Sequence, residues 1–257
     1  EALARQRGRG FKARLGANES VFGPSPKALA AMAAAVPGNW MYGDPENFDL
    51  ECAIARFHGV GPDEVVVGEG IDGLLGLAVK VVADAGAAVV TSDGAYPTFN
   101  FHVAASGCRL VKVPFRNDRE DLAALLEAAR REQAAILYVS NPNNPMGSWW
   151  SADEIGALIR DLPGGTTLFL DEAYSDTAPR DAVPPLDVAN PAVLRFRTFS
   201  KAYGLAGARV GYALGVASII QAFETVRNHY GMNRVGQIGA LAALEDQDHL
   251  RAAVTRI

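Results

Sequence analysis

Lys201 is the residue whose surroundings most suggest chemistry. It stands in the segment RTFSKAYGLAGARVGYALG, where most neighbours are small or apolar. A buried ammonium group is costly unless it is paired, and burial lowers its pKa toward that of a neutral, nucleophilic amine. Lys201 is therefore a candidate nucleophile, although an exposed lysine in a turn between two strands would give the same sequence.

A glycine-rich segment, VVVGEGIDGLLGLAVK, provides a second candidate site. Gly68, Gly70 and Gly73 follow a predicted strand and open a predicted helix, and Asp93 ends the next strand. This spacing is typical of dinucleotide binding, but N–H groups at a helix N-terminus bind any phosphate. The pattern therefore predicts a phosphate site without selecting the phosphate, and a glycine turn that only packs is the alternative.

Other polar and aromatic residues stand at the ends of predicted strands. Asp171 ends an apolar strand in FLDEAYSD, and Asn144 lies in the turn SNPNNPMG. Tyr96 and Phe99 lie in DGAYPTFNF, and Arg209 begins a return strand in ARVG. Each has an ordinary structural explanation by itself: a turn cap, a loop or a core aromatic.

Together these residues match the needs of one cofactor. Pyridoxal phosphate requires a lysine that holds its aldehyde as a Schiff base, an anion beside its ring nitrogen and a donor to its ring oxygen. It also needs a stacking partner and a phosphate site. The sequence supplies all of these groups, which favours pyridoxal phosphate over a dinucleotide.

The elements that must position these residues follow an α/β pattern. Short β-branched runs alternate with amphipathic stretches, which predicts a mostly parallel sheet flanked by helices. The predicted strands are EVVV, AAVVTS, RLVKVPF, AAILYVS, TLFLDE, LRFRTFS and RVGYALG. The predicted helices are KALAAMAAAV, GIDGLLGLAVKVVADA, REDLAALLEAARRE, SADEIGALIRDL and a continuous last segment, VGQIGALAALEDQDHLRAAVTRI. Ser151 and Glu154 form a capping box that fixes one helix start.

Composition excludes several classes of protein. The chain has 257 residues, 49% of them apolar, and a net charge of -5. This mildly acidic net charge does not indicate nucleic-acid binding. The first fourteen residues are basic and are expected to form a solvated arm. That arm contains Arg5, Arg7, Arg9, Lys12 and Arg14. Cys52 and Cys108 are too few for a disulfide framework or a zinc site. With no apolar run near the ~20 residues of a membrane span and no signal peptide, a cytoplasmic protein is expected.

The ordered set of motifs resembles the class I/II aminotransferases of the aspartate aminotransferase fold, and most closely the histidinol-phosphate aminotransferase-like branch. The matching segments are GANESVFGPSP, MYGDP, NPNNPMG, FLDEAYSD and TFSKAYGLAGARVG. The resemblance implies an N-terminal arm and part of a small domain over 1–35. It also implies a large cofactor-binding domain over 36–232 and the start of a C-terminal small domain over 233–257.

The resemblance also implies a role for each site residue. Lys201 would bind the cofactor aldehyde and act as the base, Asp171 would pair with the ring nitrogen, and Asn144 and Tyr174 would bond the ring oxygen. Tyr96 would stack on the ring, with Phe99 as the alternative. The phosphate would be held by Gly70, Ile71, Thr198, Ser200, Arg209 and Tyr42. Because Tyr42 would reach over from a second subunit, a homodimer is expected.

The function implied is transfer of an amino group between an L-amino acid and a 2-oxo acid. Another Cα reaction with the same cofactor, such as decarboxylation or oxidation, is an alternative, as is a non-catalytic protein that binds the cofactor or a nucleotide. Three departures from the branch's pattern, at GEGID, Gly43 and Met146, leave the substrate open. The arginine that binds the substrate carboxylate is expected in a C-terminal segment after Ile257.

Overall fold

The computed structural model describes residues 2–8, 10 and 16–257. Arg9, Lys12 and Arg14 of the predicted basic arm lie outside the described residues, whereas Arg5 and Arg7 are exposed.

Within the described residues, seven strands form one sheet, and each overlaps a segment that the sequence predicts as a strand. They are β1 Val65–Gly68, β2 Ala88–Asp93, β3 Arg109–Pro114, β4 Ile136–Ser140, β5 Thr167–Asp171, β6 Val193–Thr198 and β7 Gly211–Leu214.

Helices precede and connect these strands. They are α1 Ala2–Gln6, α2 Pro26–Ala35, α3 Phe48–His58, α4 Gly70–Val82, α5 Pro97–Ala105, α6 Leu122–Glu132, α7 Ala152–Arg160, α8 Ala217–Phe223, α9 Arg234–Leu244 and α10 Gln247–Arg256. Among the described helices, none combines the length and apolar character needed to cross a bilayer.

The strand order is β1-β7-β6-β5-β4-β2-β3. The pairs from β3 through β6 are parallel, and only β7 runs antiparallel to its neighbours β6 and β1. The predicted α/β class with a mostly parallel sheet is therefore confirmed. Parallel strands place their carboxyl ends at one edge, and ligands bind outside that edge in such sheets. The ends of β4, β5 and β6 bring Ser140, Asp171 and Thr198 to this edge.

The two faces of the sheet carry separate apolar cores. Ile136 and Tyr138 of β4 pack with α4 and α5 on one face, whereas Leu137 and Val139 pack with α6 and α7 on the other. A strand covered on both faces must be apolar throughout, which explains the uninterrupted run AAILYV. A third core lies where α2, α3 and α9 cover β1 and β7.

Helix boundaries follow local capping chemistry. The capping box of Ser151 and Glu154 is confirmed at the start of α7. Asp121 caps α6 by accepting a hydrogen bond from the Ala124 N–H at 3.0 Å, so α6 begins later than predicted. Sequence patterns did not predict α1, α3, α5 or α8.

The prediction of one continuous helix at the end of the chain is wrong. The segment forms α9 and α10, separated at Glu245 and Asp246. Asp246 leaves the helical conformation, and its carboxylate lies 3.2 Å from Lys27 Nζ at the start of α2. Aspartate favours helix ends over helix interiors. Because α2 also packs against α9, the segments assigned to a small domain contact each other; the domain boundaries at 35 and 232 stay a prediction.

Candidate active site

A cavity of about 320 Å³ opens at the carboxyl edge of the sheet. Most of the residues predicted to bind a cofactor line this cavity. These are Ile71, Tyr96, Asn144, Asp171, Tyr174, Thr198, Ser200, Lys201 and Arg209. The fold thus brings together side chains that are far apart in the sequence.

Gly70 adjoins the cavity through Arg209. Its φ is +77°, and a Cβ at this position would lie 2.5 Å from Arg209 Nη2. Gly211 requires a similar close approach, since its Cβ would lie 2.6 Å from the Ile71 nitrogen. The first turn of α4 is therefore pressed against β7 and Arg209, and glycines allow this contact.

Phe99 and Tyr42 lie outside the cavity. Phe99 is buried and stacks on Tyr138 with ring centroids 4.2 Å apart, so it is a core aromatic and Tyr96 is the ring that faces the cavity. Tyr42 is 75% exposed and contacts Tyr230, with ring centroids 4.7 Å apart.

Lys201 is partly buried. Its amine donates a hydrogen bond to the Ala17 carbonyl at 3.2 Å and lies 5.4 Å from the centroid of the Tyr174 ring. The Tyr174 hydroxyl in turn accepts a hydrogen bond from Asn18 at 3.0 Å. The N-terminal segment around Ala17 thus covers one side of the lysine.

Asp171 lies at the bottom of the cavity with only 4% of its surface exposed. Its carboxylate accepts hydrogen bonds from the Tyr138 hydroxyl at 2.6 Å and from the Ala173 N–H at 2.9 Å. Burial raises the pKa of Asp171, while these two hydrogen bonds and the charge of Lys201 act in the opposite direction. Bonds of this kind favour the ionised form.

Sequence reasoning missed Tyr138. Side chains alternate between the two faces of a strand, and this alternation could have placed Tyr138 near Asp171. Tyr138 pairs in register with Phe169, and Asp171 lies two residues beyond Phe169 on the same face. Finding it requires the pairing of β4 with β5, which the sequence does not state. Asp72, Ser140 and Glu19 also line the cavity and were not predicted as site residues.

Hydroxyl, guanidinium and N–H groups gather at one end of the cavity. The Ser200 hydroxyl lies 3.0 Å from that of Thr198, which also accepts the Ser200 N–H at 3.1 Å. Arg209 has a left-handed backbone, and its Nη1 donates to the Ala206 carbonyl at 3.1 Å. With the N-terminus of α4 beside them, these groups form a site suited to an anion.

Asn144 reaches the cavity from the 141–147 loop, which polar side chains hold in place. Asn141 donates to the carbonyls of Trp150 at 3.0 Å and Ala182 at 2.8 Å, and accepts the Trp150 N–H at 2.8 Å. Asn143 accepts the Met146 N–H at 3.1 Å. The asparagines around Asn144 therefore shape the loop rather than face the cavity.

A buried ion cluster lies directly behind Asp171. Glu172 accepts hydrogen bonds from Arg195 Nε at 3.0 Å and Arg197 Nε at 2.9 Å. Burial alone would raise the pKa of Glu172, but Arg197 and Arg195 outweigh burial and hold the pKa below its ordinary value. The cluster fixes the backbone that carries Asp171, because Glu172 is the next residue.

The dinucleotide interpretation of the glycine loop finds little support. Asp93, which would have to bind a ribose, is not among the residues that line the cavity. Its carboxylate pairs with Lys112 Nζ on β3 at 3.3 Å, where its side chain is 58% exposed. Asp93 is thus a surface ion-pair partner at the edge of the sheet.

Comparison with known proteins agrees with the family that the sequence motifs resemble. The family model "Aminotransferase class I and II" matches residues 12–257. Histidinol-phosphate aminotransferase from Moorella thermoacetica is 34% identical over 241 residues, which cover 92% of this chain and 62% of that protein. The chain spans about three fifths of the length of the curated relatives that match it first.

Solved structures agree with the fold. A crystal structure of histidinol-phosphate aminotransferase from Sinorhizobium meliloti, in complex with pyridoxal-5'-phosphate, is 56% identical with a TM-score of 0.96. The match covers 99% of this chain and 70% of that one. A mutant of Thermus thermophilus aspartate aminotransferase is 25% identical with a TM-score of 0.85, covering 98% of this chain and 73% of that one. The predicted likeness to the aspartate aminotransferase fold is confirmed.

Proposed function

Because the chain belongs to the class I and II aminotransferases, we propose that its cavity binds pyridoxal phosphate and that the protein transfers an amino group from an L-amino acid or related amine to a 2-oxo acid. The observation that carries this proposal is that Lys201 and Asp171 face one cavity that also contains an anion site. A lysine, a buried carboxylate and an anion site are the groups this cofactor needs.

The residues present fit each part of the cofactor. The N–H groups of Gly70 and Ile71, the hydroxyls of Thr198 and Ser200, and Arg209 would bind the phosphate. Tyr96 would cover one ring face, and Asn144 and Tyr174 would donate to the ring oxygen. The relative from Sinorhizobium meliloti, whose crystal structure contains pyridoxal-5'-phosphate, supports this assignment.

Each of the chain's own residues at the cavity would have a separate role in catalysis. When bound, the cofactor supplies an electron sink conjugated with the substrate Cα. Lys201 would bind the cofactor's aldehyde and, once released by the substrate, carry the Cα proton as general base. Asp171 would hold a proton on the ring nitrogen, and Tyr138 would keep the carboxylate of Asp171 oriented. The contact from Lys201 to Ala17 is one that the amine can exchange when it moves.

Borohydride reduction tests this function. We expect the protein mixed with pyridoxal phosphate to absorb in the visible range, to bleach on reduction and to yield a peptide in which Lys201 carries a pyridoxyl group. Lys201→Ala should lack the adduct and turn over no substrate, while Lys112→Ala, at the far edge of the sheet, should keep both. An adduct only on other lysines, or full activity of Lys201→Ala, would contradict the proposal.

The names of the relatives suggest which substrate to test first. Several are histidinol-phosphate aminotransferases, so we propose histidinol phosphate as the amino donor and 2-oxoglutarate as the acceptor. Formation of glutamate would support transamination. Release of carbon dioxide or consumption of oxygen without glutamate would instead favour the decarboxylase or oxidase alternative.

We also propose that two copies of the chain share their sites. Large aromatic side chains are exposed before and at the start of α3 and after α8, and two of them, Tyr42 and Tyr230, contact each other. Exposed apolar surface of this kind is typical of an interaction site. These aromatic side chains are Trp40, Tyr42, Phe48 and Tyr230. Tyr42 of one copy would then reach the phosphate bound by the other. Light scattering should give a dimer mass, and Tyr42→Phe should weaken cofactor binding; a monomer with unchanged binding would exclude the shared site. The cytoplasmic location stays a prediction.

A further inference from the structure

Glu120 is a buried carboxyl group that the proposed function does not use. It is 1% exposed and stands just before Asp121, the N-cap of α6. Its carbonyl accepts a hydrogen bond from Trp150 Nε1 at 3.2 Å, and Arg119 lies over the Trp150 ring. The backbone on both sides of Glu120 is thus fixed, and its side chain is buried.

The carboxyl group of Glu120 faces the ends of two neighbouring strands. The Ser140 N–H at the end of β4, the Asn143 amide in the 141–147 loop and the Ser92 hydroxyl on β2 are the groups that act most strongly on it after burial. Within the described part of the chain, both Glu120 oxygens, the Ser92 hydroxyl and the Asn143 Nδ2 are buried without a hydrogen-bond partner. Since buried polar groups rarely stay unpaired, these groups are each other's natural partners.

The charges around this group favour a neutral acid. The titratable groups that face it are Asp171 on β5 and the Tyr138 hydroxyl on β4, neither of which is a cation. On its own segment, Arg119 is turned to Trp150 and Asp121 to the N-terminus of α6. Burial raises the pKa of Glu120 to about 8 against the opposing effect of the Ser140 N–H, Asn143 and Ser92. At neutral pH the side chain therefore carries a proton that it can donate.

We propose that Glu120 is a positioning residue whose protonated carboxyl joins Ser92 to Asn143 and so fixes the loop that presents Asn144 to the cavity. Its hydroxyl donates to Ser92, while its carbonyl oxygen accepts from Asn143. Ser92 precedes the turn that carries Tyr96, and Asn143 precedes Asn144. One side chain thereby links the two segments that would hold opposite parts of the cofactor ring. This inference rests on the proposed function.

The dissociation constant of pyridoxal phosphate, measured from pH 6.5 to 9.5, tests the role. Above pH 8 the wild-type carboxyl loses the proton that it donates and places a second buried negative charge near Asp171. Glu120→Gln stays neutral, so we expect wild-type affinity to fall about tenfold by pH 9 relative to this variant. Glu120→Gln keeps a donor and an acceptor and should match the wild type within threefold at pH 7. Glu120→Leu leaves both partners unpaired and should bind at least tenfold more weakly at pH 7.

Glu51→Gln is the matched control. Glu51 is a partly buried carboxyl whose pKa is also raised, but it accepts the Val67 N–H on β1 at 3.0 Å rather than bonding Ser92 or Asn143. Its variant should follow the wild-type binding profile over the whole pH range. Superimposable profiles of wild type and Glu120→Gln, or wild-type affinity in Glu120→Leu, would overturn the proposal.

A second measurement separates this proposal from the proposed function. If no variant binds pyridoxal phosphate, the wild type included, the proposed function fails. Amide hydrogen exchange of the 141–147 loop then decides the role of Glu120. Exchange should accelerate at least tenfold in Glu120→Leu and stay unchanged in Glu120→Gln, whereas wild-type exchange in Glu120→Leu would refute the positioning role.

Discussion

At the scale of single residues, Asp171 depends on its contact with Tyr138. A carboxylate that stabilises a protonated ring nitrogen must itself remain ionised, yet burial works against ionisation. The hydrogen bonds from Tyr138 and Ala173 offset part of that penalty. Tyr138 is itself fixed by stacking on Phe99. The aromatic core under the cavity thus sets the orientation and the charge of the carboxylate.

Tyr138→Phe should therefore weaken cofactor binding in the cavity without unfolding the protein. Removing one hydrogen bond to a charged acceptor costs about 1.5–3 kcal/mol, which corresponds to roughly 10- to 150-fold weaker cofactor binding. The pKa of Asp171 rises further in the variant, so the acid side of the activity profile should move to higher pH. Titration with pyridoxal phosphate and a pH–rate profile measure the two effects.

Tyr203→Phe serves as the control for this variant, since Tyr203 is a buried tyrosine bonded to Gln247 rather than to Asp171. This variant should change neither the affinity for pyridoxal phosphate nor the acid side of the pH–rate profile. An unchanged acid limb in Tyr138→Phe would show that Asp171 stays ionised without the tyrosine.

At the scale of elements, the lysine loop is locked to the N-terminal segment by a backbone contact. Gly204 has φ +71°, and a Cβ there would lie 2.3 Å from the carbonyl carbon and oxygen of Gly23. This contact and the bond from Lys201 to Ala17 hold the segment over the cavity. Glycine is required at position 204 both for the left-handed conformation and for the close approach.

Gly204→Ala should destabilise the protein by about 2 kcal/mol or more, because the methyl group overlaps backbone that cannot rotate away. Gly207→Ala, in the same loop, meets no atom within 4 Å and has no positive φ, so its stability should change little. Urea unfolding of both variants measures the difference. Equal midpoints would mean that the 16–24 segment moves aside at little cost.

Elements that are set by local sequence patterns could be predicted from the sequence, whereas features that depend on contacts between distant elements could not. The strands and the capped helix α7 are encoded locally, in β-branched runs and in Ser151 with Glu154, and were predicted. The break at Asp246 depends on its contact with Lys27 of α2, and the pairing of Tyr138 with Asp171 depends on strand register. Both need knowledge of which elements are neighbours. Motif order found the residues of the cavity, whereas the groups behind the cavity wall became visible only in the fold.

At the scale of the whole molecule, burial of carboxyl groups links folding to proton uptake. Burial raises the pKa of Asp176 to about 6, of Glu51 to about 7 and of Glu120 to about 8. In an unfolded chain these groups lose their protons near pH 4. His58 opposes them below pH 6.5, because burial lowers its pKa to about 3 and only the unfolded chain protonates it. Between pH 5 and 8 the folded state still binds more protons than the unfolded state.

Stability should therefore fall as the pH rises from 5 to 8, and the fall contributed by these carboxyl groups should end near pH 9, once Glu120 is ionised in the folded state. The slope is about 1.4 kcal/mol per pH unit for each excess proton in the folded state. Glu51→Gln keeps an acceptor for the Val67 N–H but removes one titrating group, so its loss of stability between pH 5 and 7 should be smaller, by about 1–3 kcal/mol. Above about pH 8 its curve should run parallel to that of the wild type, because Glu51 is then ionised in both states of the wild-type protein. Urea unfolding at each pH measures this, and a wild-type stability that rises from pH 5 to 8 would show that these carboxyl groups ionise within the fold.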